Sequence, residues 1–243
     1  MTRLSLILCC VFLSINTAKA NCAFNDDVLA AKYKVTNTQL DRKKDDFFHL
    51  ILWRNGKQVA HEYSEKDITE IWELTPKGML RMVLNFDDHK RGIEYQPNEI
   101  NEGHGERDWS LKNQLISDSL IKSMQLESTQ GADCEKTETY TITNNDKTIS
   151  LEWLVNQRLI KTYQEKSSSV NLTWELEKTI SDPVKVKQFF NTRYSYQTTD
   201  YADIGDNESD PFLIKMINLG FIAHGHSGFY DSQGNSLGGN HQH

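Results

Sequence analysis

Short stretches in which apolar and polar residues alternate recur along this chain and indicate antiparallel β structure. Such alternation places one face of a strand in a core and the other in water. In the most regular stretch, residues 170–177, the apolar positions are Val170, Leu172, Trp174 and Leu176. Asn55-Gly56 separates two further stretches, and this dipeptide is typical of a two-residue hairpin turn.

Turn-forming residues divide the predicted strands into two groups. Thr75-Pro76-Lys77-Gly78 and Asn144-Asn145-Asp146-Lys147 are turns of this kind, with Pro, Gly and Asn at positions that turns favour. The first group is predicted at residues 47–53, 59–63, 68–74, 79–86 and 93–95. The second group is predicted at residues 140–142, 149–155, 158–164 and 170–177.

Capping residues predict helices around these strands, at residues 28–31, 110–124, 183–190 and 211–219. Asn25-Asp26-Asp27 precedes the first of them, and acidic or amide side chains cap helix N-termini well. Asp182-Pro183 and Asp210-Pro211 combine an Asp cap with Pro at the first helical position. The last helix is apolar almost all round, so we expect it to be buried or held against a partner.

These elements predict an α+β fold, a curved antiparallel sheet or half-barrel whose concave face is covered by flanking helices, followed by a Gly/His-rich C-terminal tail. An apolar inner face closed on one side by helices can enclose a hydrophobic cavity. The predicted organisation is a signal peptide at 1–20, the half-barrel domain with its helices at 21–203, and a C-terminal helix and tail at 204–243.

The first twenty residues have the pattern of a secretory signal peptide. Arg3 is followed by the apolar run from Leu4 to Ile15 and by Ala18-Lys19-Ala20. The run is shorter than the roughly 20 apolar residues that span a bilayer. We therefore expect a cleaved signal and an exported, periplasmic protein without a membrane span. Cys22 after Lys19-Ala20-Asn21 is a poor match to a lipidation site.

Cleavage would leave two of the four cysteines, Cys22 and Cys134. In an exported protein, two cysteines are expected to form one disulfide. On the chain-entropy model, closing the long loop between Cys22 and Cys134 would stabilise the fold by about 4–5 kcal/mol, less any strain. The alternative is a redox or metal-binding thiol pair, although the chain has no Cys-x-x-Cys motif.

Two hairpin segments resemble those of periplasmic half-barrel proteins of the lipoprotein carrier and receptor type (LolA and LolB) and of the N-terminal domain of RseB. One runs from Leu50 through the Asn55-Gly56 turn to Tyr63, and the other joins Leu151–Leu154 to Arg158–Ile160. The resemblance covers about residues 25–200 and implies a cavity that binds acyl chains or lipoproteins. It transfers no functional residue individually, and the Gly/His-rich tail departs from the family.

Tryptophans in predicted strands are the candidate ligand-binding residues: Trp53, Trp72, Trp153 and Trp174. They could line an apolar cavity, because indole rings offer large apolar surfaces with one polar atom. Ordinary core packing explains them equally well at this point.

Histidines are concentrated at the C-terminus, where His224-Gly225-His226 and His241-Gln242-His243 flank a Gly-rich segment. Residues two apart in an extended chain point the same way, so each pair could chelate a metal. Imidazole suits Zn²⁺ and Cu²⁺, which are the candidate cofactors, with His224, His226, His241 and His243 as ligands. The alternative is a polar His-rich terminus that binds no metal.

Two weaker patterns stay open. Asp206, Glu208 and Asp210 stand at alternate positions, as early calcium-loop ligands do, but Pro211 replaces the turn glycine, and a solvated loop with a helix-capping Asp is the alternative. His104, within Glu102-Gly103-His104-Gly105-Glu106, could be a general base, a ligand or part of a polar loop.

The sequence favours a non-enzymatic binding or carrier protein whose partner is an apolar small molecule or a lipidated protein. The alternative is a periplasmic Zn or Cu protein that uses the C-terminal histidines. An enzyme is less favoured, since no hydrolase, phosphate-loop or dinucleotide motif occurs, and no catalytic residue is assigned. The net charge of −7, which becomes −9 after loss of Arg3 and Lys19, argues against general nucleic-acid binding. The oligomeric state stays open.

Overall fold

Twelve strands form a single sheet in the computed structural model, which describes residues 27–39, 46–100, 108–205 and 209–221. In chain order the strands are β1 (Val28–Gln39), β2 (Asp46–Asn55), β3 (Gln58–Tyr63), β4 (Ile68–Leu74), β5 (Leu80–Phe86), β6 (Arg91–Tyr95), β7 (Gln125–Gln130), β8 (Thr137–Asn144), β9 (Lys147–Leu154), β10 (Leu159–Lys166), β11 (Val170–Ile180) and β12 (Gln197–Asp200). The helices are α1 (Trp109–Gln114), α2 (Asp118–Ser123), α3 (Pro183–Tyr194) and α4 (Pro211–Asn218). The α+β class is thus confirmed.

The strand order is β12-β6-β5-β4-β3-β2-β1-β11-β10-β9-β8-β7. Every neighbouring pair is antiparallel except β12 and β6, which are parallel. The two predicted groups of strands therefore form one sheet, and β1 joins them by pairing with β2 on one side and β11 on the other.

The predicted helix at residues 28–31 is wrong, because this segment is the start of β1. Its sequence alternates on closer inspection, with Leu29, Ala31, Tyr33 and Val35 all buried on one face. Pairing on both edges satisfies the backbone amides and buries these side chains. The free energy gained from this pairing and burial outweighs the mild helix preference of two alanines and an acidic cap.

The sheet has two faces, which we name by the helices that cover them. The inner face carries α1, α2 and α4, and its core contains two clusters of buried apolar side chains, one centred on β1, β2 and β9–β11 and the other on β4–β6. The outer face carries α3, whose Val186, Phe189 and Phe190 pack on Ala60, Ile71 and Val83.

This arrangement corrects the expectation that the helices cover only one face. Residues 110–124 also differ from the prediction, because they form two short helices and not one. Leu115 ends α1 in the left-handed region, with φ 65°, and Ser117 caps α2 by accepting a hydrogen bond from the Leu120 amide. Strands β7 and β12 were not predicted; β7 is polar and exposed along its whole length, so it lacks the apolar alternation that indicates a strand.

Helix α3 is fixed to the outer face by a polar cluster around Arg193. Its guanidinium lies 3.1 Å from the Asp87 carboxylate and 3.4 Å from that of Glu62, and it donates to the Thr69 hydroxyl. The Trp53 indole donates to Glu62 at 2.7 Å, and the Tyr196 hydroxyl donates to Asp87. Burial raises the pKa of Glu62, while the Trp53 hydrogen bond and the Arg193 charge act in the opposite direction.

Helix α4 packs Leu213 and Met216 into the inner-face cluster on β4–β6. The expected burial of α4 therefore holds only for the side that carries Leu213 and Met216, because Ile214, Ile217 and Leu219 are exposed. Gly220 follows with φ 76°, a conformation that favours glycine after a helix end. None of the helices in residues 27–39, 46–100, 108–205 and 209–221 is long and apolar enough to cross a membrane.

Candidate ligand-binding face

One register row of the inner face is rich in aromatic residues that helices α1 and α2 leave partly exposed. The row crosses six neighbouring strands, from β8 through β9, β10, β11 and β1 to β2. We call it the aromatic strip, and its members in that order are Tyr140, Leu151, Tyr163, Trp174, Val35 and Phe48. Leu151, Trp174 and Val35 are buried, whereas Tyr140, Tyr163 and Phe48 are half-buried.

Carboxylates accompany the tyrosines of the strip. The Tyr140 hydroxyl donates to Glu138 and the Tyr163 hydroxyl donates to Glu165 at 2.9 Å. Each glutamate also pairs with a lysine, Lys136 at 2.6 Å and Lys147 at 2.8 Å. Burial and the neighbouring carboxylate raise the pKa of Tyr140 to about 12, so the hydroxyl stays neutral. The tyrosine hydroxyls of the strip are therefore already paired with carboxylates, which leaves the rings as its apolar surface.

Helix α1 is held on the inner face by two side chains of the sheet that bind its last turn. The four final carbonyls of a helix lack partners within it. The fully buried Arg54 donates to the Asn113 carbonyl at 2.5 Å, and His61 Nε2 donates to the Lys112 carbonyl at 2.8 Å. Arg54 also donates to the carbonyls of Gln157 and Arg158, so one side chain joins β2, α1 and the turn between β9 and β10.

His61 belongs to a buried polar group next to this anchor. Its Nδ1 lies 3.8 Å from a Glu70 carboxylate oxygen, and the Lys112 ammonium lies 3.7 Å from the centroid of the Trp72 ring. Burial, with the nearby charge of Lys112, lowers the pKa of His61 to about 3. The imidazole is therefore neutral at physiological pH and acts as a hydrogen-bond donor to α1.

The pKa of His61 predicts a loss of stability in mild acid. Between its ordinary pKa and about 3, the unfolded chain binds a proton at this site and the folded chain does not. The free energy of unfolding should therefore fall by about 1.4 kcal/mol per pH unit from about pH 6 to pH 4. Urea denaturation across this range measures the slope.

The matched variants are His61→Gln, whose amide can still donate to Lys112, and His49→Gln in the partly exposed pair with Glu65. We expect His61→Gln to flatten the dependence of the free energy of unfolding on pH relative to the wild type. His49→Gln should keep the contribution of His61 to that dependence. An unchanged slope in His61→Gln would contradict the prediction.

The structure places the four candidate tryptophans on both faces. Trp72, Trp153 and Trp174 are buried on the inner face, whereas Trp53 stacks on Phe189 of α3, with ring centroids 4.0 Å apart. Only Trp174 lies in the aromatic strip. The predicted ligand-binding role of these residues stays a prediction, and Trp53 is separated from the other three by the sheet.

The predicted metal ligands His224, His226, His241 and His243 lie outside the described residues, as do His104, Asp206 and Glu208. Among the residues that the structure describes, there is no group of three or more His, Cys, Asp or Glu side chains that could hold a metal ion. Asp210 caps α4 by accepting a hydrogen bond from the Phe212 amide, and it pairs with Arg91 at 2.8 Å. This is the helix-capping role that the sequence offered as the alternative to a calcium ligand. Cys134 is disulfide-bonded, but Cys22 lies outside the described residues, so their pairing stays a prediction.

Sequence reasoning missed the polar residues of the inner face, Arg54, His61 and Tyr33. A signal for Arg54 exists, because it stands two residues after Leu52 in the alternation of β2 and so belongs to the apolar face. A charge at such a position indicates a buried partner. The partners themselves lie 59 to 104 residues away, beyond any local pattern.

No family model and no curated protein matches this chain. Among solved structures, it is similar to PNGF-II, with 9% identity, a TM-score of 0.35 and coverage of 71% of this chain and 31% of PNGF-II. The chain therefore spans about a third of the length of that protein.

It is also similar to a LolA superfamily protein from Nitrosomonas europaea, with 11% identity, a TM-score of 0.27 and coverage of 67% of this chain and 90% of that one. The MucA/MucB complex of Pseudomonas aeruginosa follows with 9% identity, a TM-score of 0.29 and coverage of 64% and 52%. These likenesses concern the fold alone and say nothing about function.

Proposed function

We propose that this protein binds an apolar ligand, either a small molecule or the lipid chain of a partner, on the inner face of its sheet and without catalysis. The observation that carries the proposal is the aromatic strip, in which Tyr140, Tyr163 and Phe48 remain half-buried beside buried apolar neighbours. Surfaces lined mostly by apolar and aromatic side chains with a few polar groups are typical of ligand sites.

The dimensions of the strip suit an extended chain. Neighbouring strands are about 4.8 Å apart, so a row across six strands is about 24 Å long. Each Å² of apolar surface that a ligand removes from water contributes about 25 cal/mol. An aliphatic chain lying across the strip would contact its half-buried rings, those of Tyr140, Tyr163 and Phe48. The charges of Glu138 and Glu165, which accept from the strip tyrosines, are neutralised by Lys136 and Lys147. These glutamates therefore do not repel such a ligand.

Two adjacent phenylalanines on opposite faces of β2 provide the test. Phe48 lies in the strip, and Phe47 is exposed, at 58%, on the other face. We expect Phe48→Ala to weaken binding of the fluorescent fatty acid parinaric acid about tenfold, because it removes about 1.5 kcal/mol of apolar contact. Phe47→Ala should leave the dissociation constant unchanged, and fluorescence titration measures both.

Equal effects of the two substitutions would place the probe elsewhere on the surface. The absence of any binding by the wild-type protein would refute the proposal. Partial unfolding of Phe48→Ala could by itself weaken binding. Its far-ultraviolet circular dichroism must therefore match that of Phe47→Ala, and the two Tm values must agree within about 5 °C.

A further inference from the structure

Tyr33 is a buried residue of the inner face whose hydroxyl proton has no acceptor among the described residues. The side chain is fully buried in the cluster on β1, β2 and β9–β11. Its hydroxyl lies near the backbone of Ile160 but has no hydrogen-bond partner of normal geometry in the described part of the chain. A buried hydroxyl without a partner costs about 1–3 kcal/mol, so such groups call for a physical explanation.

Tyr33 is connected to the aromatic strip by a continuous path of ring contacts. The half-buried Tyr163 meets Trp174 edge-on, with centroids 6.4 Å apart, and Trp174 meets Tyr33 in the same way at 6.1 Å. Tyr33 stands two residues from Val35 on the same face of β1. Tyr33 therefore lies in the register row next to the aromatic strip, buried beneath the surface on which we place the ligand.

The electrostatic surroundings favour a negatively charged acceptor at this hydroxyl. Burial raises the pKa of Tyr33 far above its ordinary value, so the group stays protonated and can donate. The positive charge of Arg54 acts in the opposite direction, which shows that the guanidinium is close enough to influence charge there. The nearby cation would stabilise a carboxylate that accepts the hydroxyl proton in a hydrogen bond.

We propose that the ligand is a long-chain carboxylic acid bound with its carboxylate inward, accepting a hydrogen bond from the Tyr33 hydroxyl, and with its chain along the aromatic strip. This inference rests on the proposed function and chooses between its two ligand classes. A free acid can enter head first. An acyl chain attached to a partner cannot, because its carbonyl end is blocked by the attachment.

The test compares three fluorescent probes that differ only at the head, namely parinaric acid, its methyl ester and the polyene hydrocarbon of the same length. We expect the wild-type protein to bind the acid most tightly. The variant Tyr33→Phe should lose about ten- to hundredfold in affinity for the acid, because hydrogen bonds to charged groups contribute about 1.5–3 kcal/mol. Its affinity for the hydrocarbon should not change.

The matched control is Tyr196→Phe, which removes a hydroxyl that is already bonded to Asp87 beside α3 on the outer face and should leave the affinity for the acid unchanged. Since no described residue accepts the Tyr33 hydroxyl proton, Tyr33→Phe should unfold at the same or a higher urea concentration than the wild type, so weaker binding would not reflect misfolding. Equal wild-type affinities for acid and hydrocarbon, or an unchanged affinity of Tyr33→Phe for the acid, would overturn this inference and leave apolar binding intact. Failure of all three probes to bind would overturn both.

Discussion

Replacement of Arg54 by methionine should lower the free energy of unfolding by about 4 kcal/mol and the Tm by about 8–16 °C. Arg54 is fully buried and donates to the carbonyls of Asn113, Gln157 and Arg158. Methionine fills much of the same volume but leaves these acceptors without their donor. An unsatisfied buried acceptor costs about 1–3 kcal/mol, and partial access of water to the turn reduces the sum.

The loss should be specific to the position and geometry of the guanidinium. Arg54→Lys keeps the charge, but its single nitrogen cannot reach three carbonyls in different directions, so we expect it to recover less than half of the loss. Arg81→Met, which breaks partly exposed pairs with Glu73 and Glu94, should cost less than about 1 kcal/mol. Urea denaturation of the four proteins gives these values, and a cost below about 1 kcal/mol for Arg54→Met would contradict the anchoring role.

Replacement of Arg193 by methionine should lower the free energy of unfolding by about 3–5 kcal/mol at neutral pH. The substitution leaves the carboxylates of Glu62 and Asp87, both mostly buried, without their cation. The substitution also removes a cation–π contact, because the Arg193 guanidinium lies over the Phe189 ring, 3.7 Å from its centroid. We therefore expect α3 to detach from the outer face first, which hydrogen exchange of its backbone amides can detect.

The pH dependence identifies the cause of this loss. Burial already raises the pKa of Glu62, and removal of Arg193 should raise it further. A carboxyl group whose folded pKa is raised destabilises the fold above its unfolded pKa, and the destabilisation disappears as pH falls below that value. The variant should thus approach wild-type stability below about pH 4. Glu62→Gln added to Arg193→Met should restore part of the loss at pH 7.

Lys185→Met is the matched control for Arg193→Met, since Lys185 lies on the same helix with its side chain 67% exposed. It should change the stability by less than about 0.5 kcal/mol. A loss in Arg193→Met that stays constant from pH 7 to pH 4 would show that lost packing, and not uncompensated charge, is responsible.

The two faces of the sheet explain why the candidate site was only partly predictable. Alternation correctly separated the faces of β11, which placed Trp174 on the same face as Leu172 and Leu176. It could not reveal that Trp53 belongs to the opposite face from the other three tryptophans, because that depends on the register with which each strand pairs. The unpartnered hydroxyl of Tyr33 was not visible either, since satisfaction of a polar atom depends on all its neighbours.

The sequence by itself determined most strands of the sheet, the turns between them, and the caps of α3 and α4, because each depends on residues within a few positions of one another. Only the tertiary structure decided that residues 28–39 form a strand, that β1 and β11 join the two groups into one sheet, and that α3 covers the outer face. It also decided which charges are buried, at Arg54 and Arg193. These features depend on pairing and packing between distant segments, whose free energy overrides local preference.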